Sequence, residues 1–299
     1  MGYELRSLPN YHMKVLYIKD CVLGSCIVMD ENLKETTFVL VTDQGYFSKA
    51  KKTIVELRSK GRWWGSVVLI AIDFEPPVNF LTFYEITCVH FPTIDLSQLL
   101  KTIGKGFSDG DGRELNKTNQ WEKLHVFESY FKQWKRVILM DAGTHILNSV
   151  DPLLALDYHQ KLLAPTDDSG DPTKIKPFRL QLSHDHPDVL ARLLQDFGAE
   201  ILECSYFLNG LFIYDTNLLE FITMGQLIET MNQYPICKTN EMTLMNIVFN
   251  FKYHVWTPFP QKTPTGKYLF DWSEANHPRT HWTQYCFLKY PITIEWNDT

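Results

Sequence analysis

The sequence predicts an α/β domain built on a mostly parallel central sheet with helices on both faces. Three observations carry that expectation. Short, uninterrupted apolar runs recur along the chain, the pattern of strands covered on both faces. Segments with helical periodicity lie between them. Three of the runs also end in a carboxylate, at Asp43, Asp73 and Asp141. In open α/β sheets, ligands bind at the carboxyl ends of the strands.

In chain order, the segments MKVLYI and CIVMD flank LGS, which predicts a hairpin in an N-terminal extension over residues 1–36. That extension is read as a structural addition or a homodimer contact, and residues 37–299 as a single domain. FVLV, residues 38–41, is the first core strand. Residues 48–59 form a helix with Ile54 and Leu57 turned inward and Gly61 just past its end. VVLIAI (67–72) and ITCVHF (86–91) follow as strands. Trp121, Leu124, Phe127, Phe131 and Trp134 recur at steps of three and four, marking one apolar helical face. Strands over 137–140, 162–164 and 208–214 come next, the last with Asn209 and Gly210 inside it. Helices over 188–197 and 241–249 complete the alternation. Two polar loops rich in Gly and Asp, 105–118 and 167–176, interrupt it.

Composition narrows the function. With 44% hydrophobic and 21% charged residues, the chain can build a full core without a disulfide or metal scaffold. A net charge of −6 gives no footprint for nucleic acid or an anionic membrane. The six cysteines, at 21, 26, 88, 204, 237 and 286, include no Cys-x-x-Cys pair and are expected to be reduced and buried. There is no signal-peptide-like run, and no stretch approaches the roughly 20 apolar residues of a membrane helix, so a soluble cytoplasmic protein is expected. A phosphate-binding G-x-x-x-x-G-K-[ST] loop, a G-x-G-x-x-G fingerprint, a G-x-S-x-G elbow and an H-E-x-x-H pair are all missing. ATP hydrolysis, dinucleotide redox chemistry, serine hydrolysis and zinc proteolysis lose their support accordingly.

The richest segment is RVILMDAGTHILNSVDPLL, residues 136–154. A helix carrying Lys123 leads into an apolar strand, the strand ends at Asp141, and the chain turns at Gly143. This segment resembles the GT-A fold nucleotide-sugar glycosyltransferases, most of all the glycogenin-like family 8 group. There a strand ends in Asp-x-Asp and is followed by T-x-V-x-x-x-x-D-x-L. Three further segments resemble that family in the same order. FVLVTDQGYFSKAKKTIVEL matches its first strand, CSYFLNGLFIYD its Y-F-N-S-G-V strand, and NEMTLMNIVF its D-Q-D-I-L-N segment. HPRTHW loosely resembles its terminal H-x-x-G-x-x-K-P-W.

The resemblance implies a soluble transferase that moves a sugar from a UDP- or GDP-linked donor to a hydroxyl of a glycan or small acceptor. It implies contacts to base and ribose from Thr42, Asp43 and Tyr46. Lys123, Asp141, Ala142, Gly143 and Arg279 would face the diphosphate, and Asn209 and Gly210 the sugar. Asp141, Glu241 and Asp167 are the candidate catalytic carboxylates. In the family two aspartates hold Mn2+ or Mg2+, a hard cation that neutralises the departing diphosphate. Here the second aspartate is Gly143, and the family's glutamine beside the reacting sugar carbon is Met242. Asp141, His277 and His281 are therefore the candidate metal ligands. A catalytically impaired protein that binds sugar nucleotide or a protein partner without turnover is the alternative those departures leave open.

Overall fold

The computed structural model describes residues 31–103, 118–167, 175–272 and 285–289. The whole of the expected N-terminal hairpin, most of both polar loops, and Arg279, His277 and His281 lie outside the described residues.

The main sheet has seven strands in the order β3-β2-β1-β4-β7-β6-β8. They are β1 (Thr36–Asp43), β2 (Ser66–Ile72), β3 (Thr87–Val89), β4 (Arg136–Met140), β6 (Leu162–Ala164), β7 (Leu211–Asp215) and β8 (Trp256–Pro258). Every neighbouring pair is parallel except the two that β7 makes, with β4 and with β6. A second sheet joins β5 (Thr144–Ile146), β10 (Tyr285–Lys289) and β9 (Tyr268–Trp272).

Side-chain alternation explains why the strands read as continuous apolar runs. Val39, Val68, Ile70, Val137, Leu139, Phe212 and Tyr214 point into one buried layer. Phe38, Leu40, Val67, Leu69, Ile138, Met140, Leu211 and Ile213 point into the other. Successive strand residues face opposite ways, so a sheet covered twice needs an apolar residue at every position. The helix Phe47–Ser59 covers the second layer through Phe47, Ala50, Ile54 and Leu57. Arg58, on the same helix, donates to the carbonyls of Trp63, Gly65, Tyr84 and Glu85 and ties the loop before β2 to the one before β3.

The structure corrects three local expectations. The segment with Trp121 and Leu124 is not one α-helix but two 3₁₀ helices, Thr118–Phe127 and Ser129–Gln133. Side chains three apart eclipse in a 3₁₀ helix, and the exact three-residue step of Trp121, Leu124 and Phe127 fits that repeat. Glu122, His125 and Glu128 form a second row at the same step, with His125 Nε2 2.8 Å from Glu122 and Nδ1 3.2 Å from Glu128. Asn209 and Gly210 precede β7 rather than lie within it. The helix at Glu241 is α only to Met245 and continues as a π-helix over Asn246–Lys252. Of the cysteines, Cys237 and Cys286 are buried, Cys88 is half-buried and Cys204 exposed. Burial, followed by the charge of Glu241, pushes the Cys237 thiol up to about 12, which leaves it inert.

Candidate active site

Parallel β1 and β4 bring their carboxyl ends to one edge of the sheet, with Val39 opposite Leu139. Antiparallel β7 enters where β4 leaves, with Met140 opposite Leu211. The Asp141 amide donates to the Gly210 carbonyl at 2.8 Å, so the residues just before β7 meet those just after β4. The 3₁₀ helix Thr118–Phe127 and the start of the Glu241 helix pack over this edge, as the contact between Lys123 and Glu241 shows.

Lys123 is the hub. Its Nζ lies 2.9 Å from Asp141 Oδ1, 2.9 Å from Glu241 Oε1 and 3.4 Å from Asn209 Oδ1. Asn209 Nδ2 also donates to Glu241 Oε1 at 2.9 Å. Three oxygens from three separate elements thus converge on one ammonium. The side chains of Lys123, Asp141 and Glu241 keep only 12%, 18% and 4% of their exposure. Burial works to lower the lysine pKa, but the charges of Asp141 and Glu241 outweigh it and hold Lys123 above the ordinary lysine range. The ammonium is therefore permanently charged.

The other expected residues fall into two groups. Asp43 ends β1 and closes a turn, accepting from the Tyr46 amide at 2.8 Å through Oδ1. Its Oδ2 accepts from Asn119 Nδ2 at 2.7 Å, latching the 3₁₀ helix to the end of β1. Thr42 is buried and donates to the Asp43 carbonyl, and Lys49 lies over the Tyr46 ring. Ala142 is buried. Gly143 makes the turn with φ 89°, a conformation glycine adopts freely, and its N–H donates to Thr53 Oγ1 at 3.0 Å.

Asp167 is bonded elsewhere: it accepts from the Tyr206 hydroxyl and lies 3.1 Å from Lys176 Nζ. Asn246, in the NEMTLMNIVF segment, is a backbone clamp. It accepts from the Phe207 amide at 2.9 Å and donates to the Phe207 carbonyl at 3.0 Å.

Sequence reasoning missed three side chains that line this edge: Asn119, Gln120 and Asn240. Gln120 stands three residues before Lys123, on the same 3₁₀ row, and that spacing was the available signal. Asn240 immediately precedes Glu241, and its Nδ2 donates to Gln120 Oε1 at 2.5 Å.

A divalent cation requires several hard oxygen ligands. Asp141 supplies one carboxylate, shared with Lys123, and no cluster of three His, Cys, Asp or Glu side chains exists among the described residues.

No known protein family matches the sequence, and no curated protein does. Solved structures do match by shape. An active-site mutant of LgtC aligns over 85% of this chain and 86% of its own, with TM-score 0.53 and 11% identity. The fold is GT-A. The bifunctional glycosyltransferase WbbM aligns over 79% of this chain at 14% identity and TM-score 0.49, and this chain spans only 40% of its length. A mannosyltransferase from S. cerevisiae aligns over 75% of this chain and 68% of its own, at 10% identity and TM-score 0.46. On this GT-A sheet, Asp141 stands at the carboxyl edge of β4, beside the single reversed strand β7. No helix among the described residues is long and apolar enough to cross a membrane.

Proposed function

We propose that this chain is a glycosyltransferase that moves a sugar from a UDP- or GDP-linked donor to a hydroxyl of a glycan or small acceptor. The observation that carries this reading is the convergence of Asp141, Glu241 and Asn209 on Lys123 at the carboxyl edge of a GT-A sheet. Such an edge is where an α/β fold receives a nucleotide. The shape similarity to LgtC, a galactosyltransferase, adds support.

Each residue has a role in this reading. Asp43, Thr42 and Tyr46, at the end of β1, take the nucleoside. Asp141 lies at the diphosphate, with His277 and His281 proposed as its co-ligands for Mn2+ or Mg2+ and Arg279 beside the phosphates. When bound, that cation would neutralise charge on the departing diphosphate. Lys123 holds both carboxylates at fixed positions, so no reorganisation is needed when the donor arrives. Glu241 and Asn209 face the sugar. Asp167, held by Tyr206 and Lys176, is the remaining candidate base for the acceptor hydroxyl.

The test is to incubate the protein with a panel of UDP- and GDP-sugars, with and without Mn2+, and to measure release of UDP or GDP. At least one donor should be consumed, and Asp141→Asn should slow that consumption at least about a hundredfold, the scale of losing a preorganised electrostatic group. Consumption that is equal in wild type and Asp141→Asn would contradict the reading.

A further inference from the structure

Four buried side-chain oxygens lack a hydrogen-bond partner among the described residues, and two of them belong to consecutive residues: Asn240 Oδ1 and Glu241 Oε2. Leaving a buried acceptor unmet is costly, and such groups call for an explanation. Neither residue is more than 3% exposed. Asn240 also holds φ 54° and ψ −135°, a backbone state that side chains rarely adopt. Strain of this kind gathers where a ligand is held.

Position supplies the next step. Asn240 meets Gln120, and Glu241 meets Lys123. Gln120 and Lys123 stand three apart on a 3₁₀ helix and so share one face. One residue earlier, Asn119 holds Asp43 at the end of β1. The row therefore runs from Asp43 through Asn240 to Glu241 and Asp141. This places the two unmet oxygens beside the Lys123, Asp141 and Asn209 cluster, where Glu241 and Asn209 face the sugar in the function proposed above.

Chemistry names the ligand class. Both unmet atoms are acceptors, and they need a ligand that donates hydrogen. An ionised phosphate offers no such hydrogen. A neutral polyol such as a pyranose ring satisfies both. We propose that Asn240 is a specificity-determining residue for the transferred sugar, its Oδ1 accepting from a ring hydroxyl beside the Glu241 carboxylate. This deepens the function proposed above and rests on it. Gln120, the partner of Asn240, is only half-buried.

The test compares wild type with Asn240→Gly and Asn240→Asp, by calorimetric titration with UDP-glucose, GDP-mannose, UDP and GDP. Glycine adopts φ 54° without strain, so the Tm of Asn240→Gly should hold or rise. Its affinity for the sugar nucleotide that wild type binds should fall about threefold to tenfold, the scale of one hydrogen bond. Affinity for the bare diphosphate should stay within about twofold on the same scale. Asn240→Asp keeps an acceptor oxygen, and Gln120 can turn its amide to donate to the other carboxylate oxygen, so this variant should retain sugar-nucleotide affinity. If both variants weaken sugar nucleotide and bare diphosphate equally, or change neither, Asn240 is a structural residue and the inference falls alone. If wild type binds none of the four probes, the proposed function falls and takes this inference with it.

Discussion

Replacing Lys123 by methionine keeps an apolar stem of similar length and deletes the ammonium, leaving Asp141 and Glu241 without their shared cation. Both carboxylates are mostly buried, with side-chain exposures of 18% and 4%. Removing one partner of a buried ion pair costs about 3–5 kcal/mol, because the abandoned charge keeps its desolvation penalty. One kcal/mol moves the Tm of a domain of this size by about 2–4 °C. Lys123→Met should therefore lower Tm by about 10 °C at pH 7.5. The pH dependence has a definite sign. The folded pKa of Lys123 is raised, so its stabilisation is complete below the unfolded lysine value of about 10.4 and is lost only above it. On the lysine's account, then, the gap between wild type and variant should stay level from pH 6 to 9. Differential scanning calorimetry at three pH values measures this. A Tm within about 2 °C of wild type, on the scale of an exposed pair, would show that the triad is not a buried ion pair and would remove the hub of the site.

Three further outcomes are expected. His125 is stacked on Phe91 and held by Glu122 and Glu128; burial works to lower its pKa, but the two carboxylates raise it above the ordinary histidine value. Its stabilisation is therefore full below the unfolded pKa near about 6.5 and is lost as pH rises through the folded value. Urea titration should show His125→Gln less stable than wild type at pH 6 and closer to it at pH 9, and a gap that widens with pH would refute the assignment. Arg58→Lys should cost about 2–3 kcal/mol in the same assay while donor affinity is unchanged, since an ammonium cannot reach four carbonyls in place of a planar fork. Asn246→Ala should cost a similar amount, about 2 kcal/mol, by leaving both backbone groups of Phe207 unpaired, whereas an effect on donor binding without loss of stability would contradict the clamp.

Particular residues show what the sequence disclosed. The strands were legible because a doubly covered sheet demands apolar residues on both sides of the pleat, as Val39 and Leu40 show. Asp43 and Asp141 were legible because they stop such runs. The convergence on Lys123 was not, since Glu241 lies more than a hundred residues downstream, and no local periodicity encodes a pairing across the sheet. The 3₁₀ geometry at Trp121 was half-visible: the three-residue step was present, but a step mixed with fours downstream reads equally as α. Asn240 gave no sign, since backbone strain is a property of the folded chain.

The central claim, that this GT-A site binds a nucleoside diphosphate sugar at Asp141, is tested most directly by the thermal shift of wild type and Asp141→Asn across a panel of UDP- and GDP-sugars. At 100 times its Kd, a ligand adds about 2.7 kcal/mol of stability, or about 5–10 °C in Tm. The account predicts that shift for at least one donor in wild type and its loss in Asp141→Asn. No shift with any donor, or the same shift in both proteins, would contradict it.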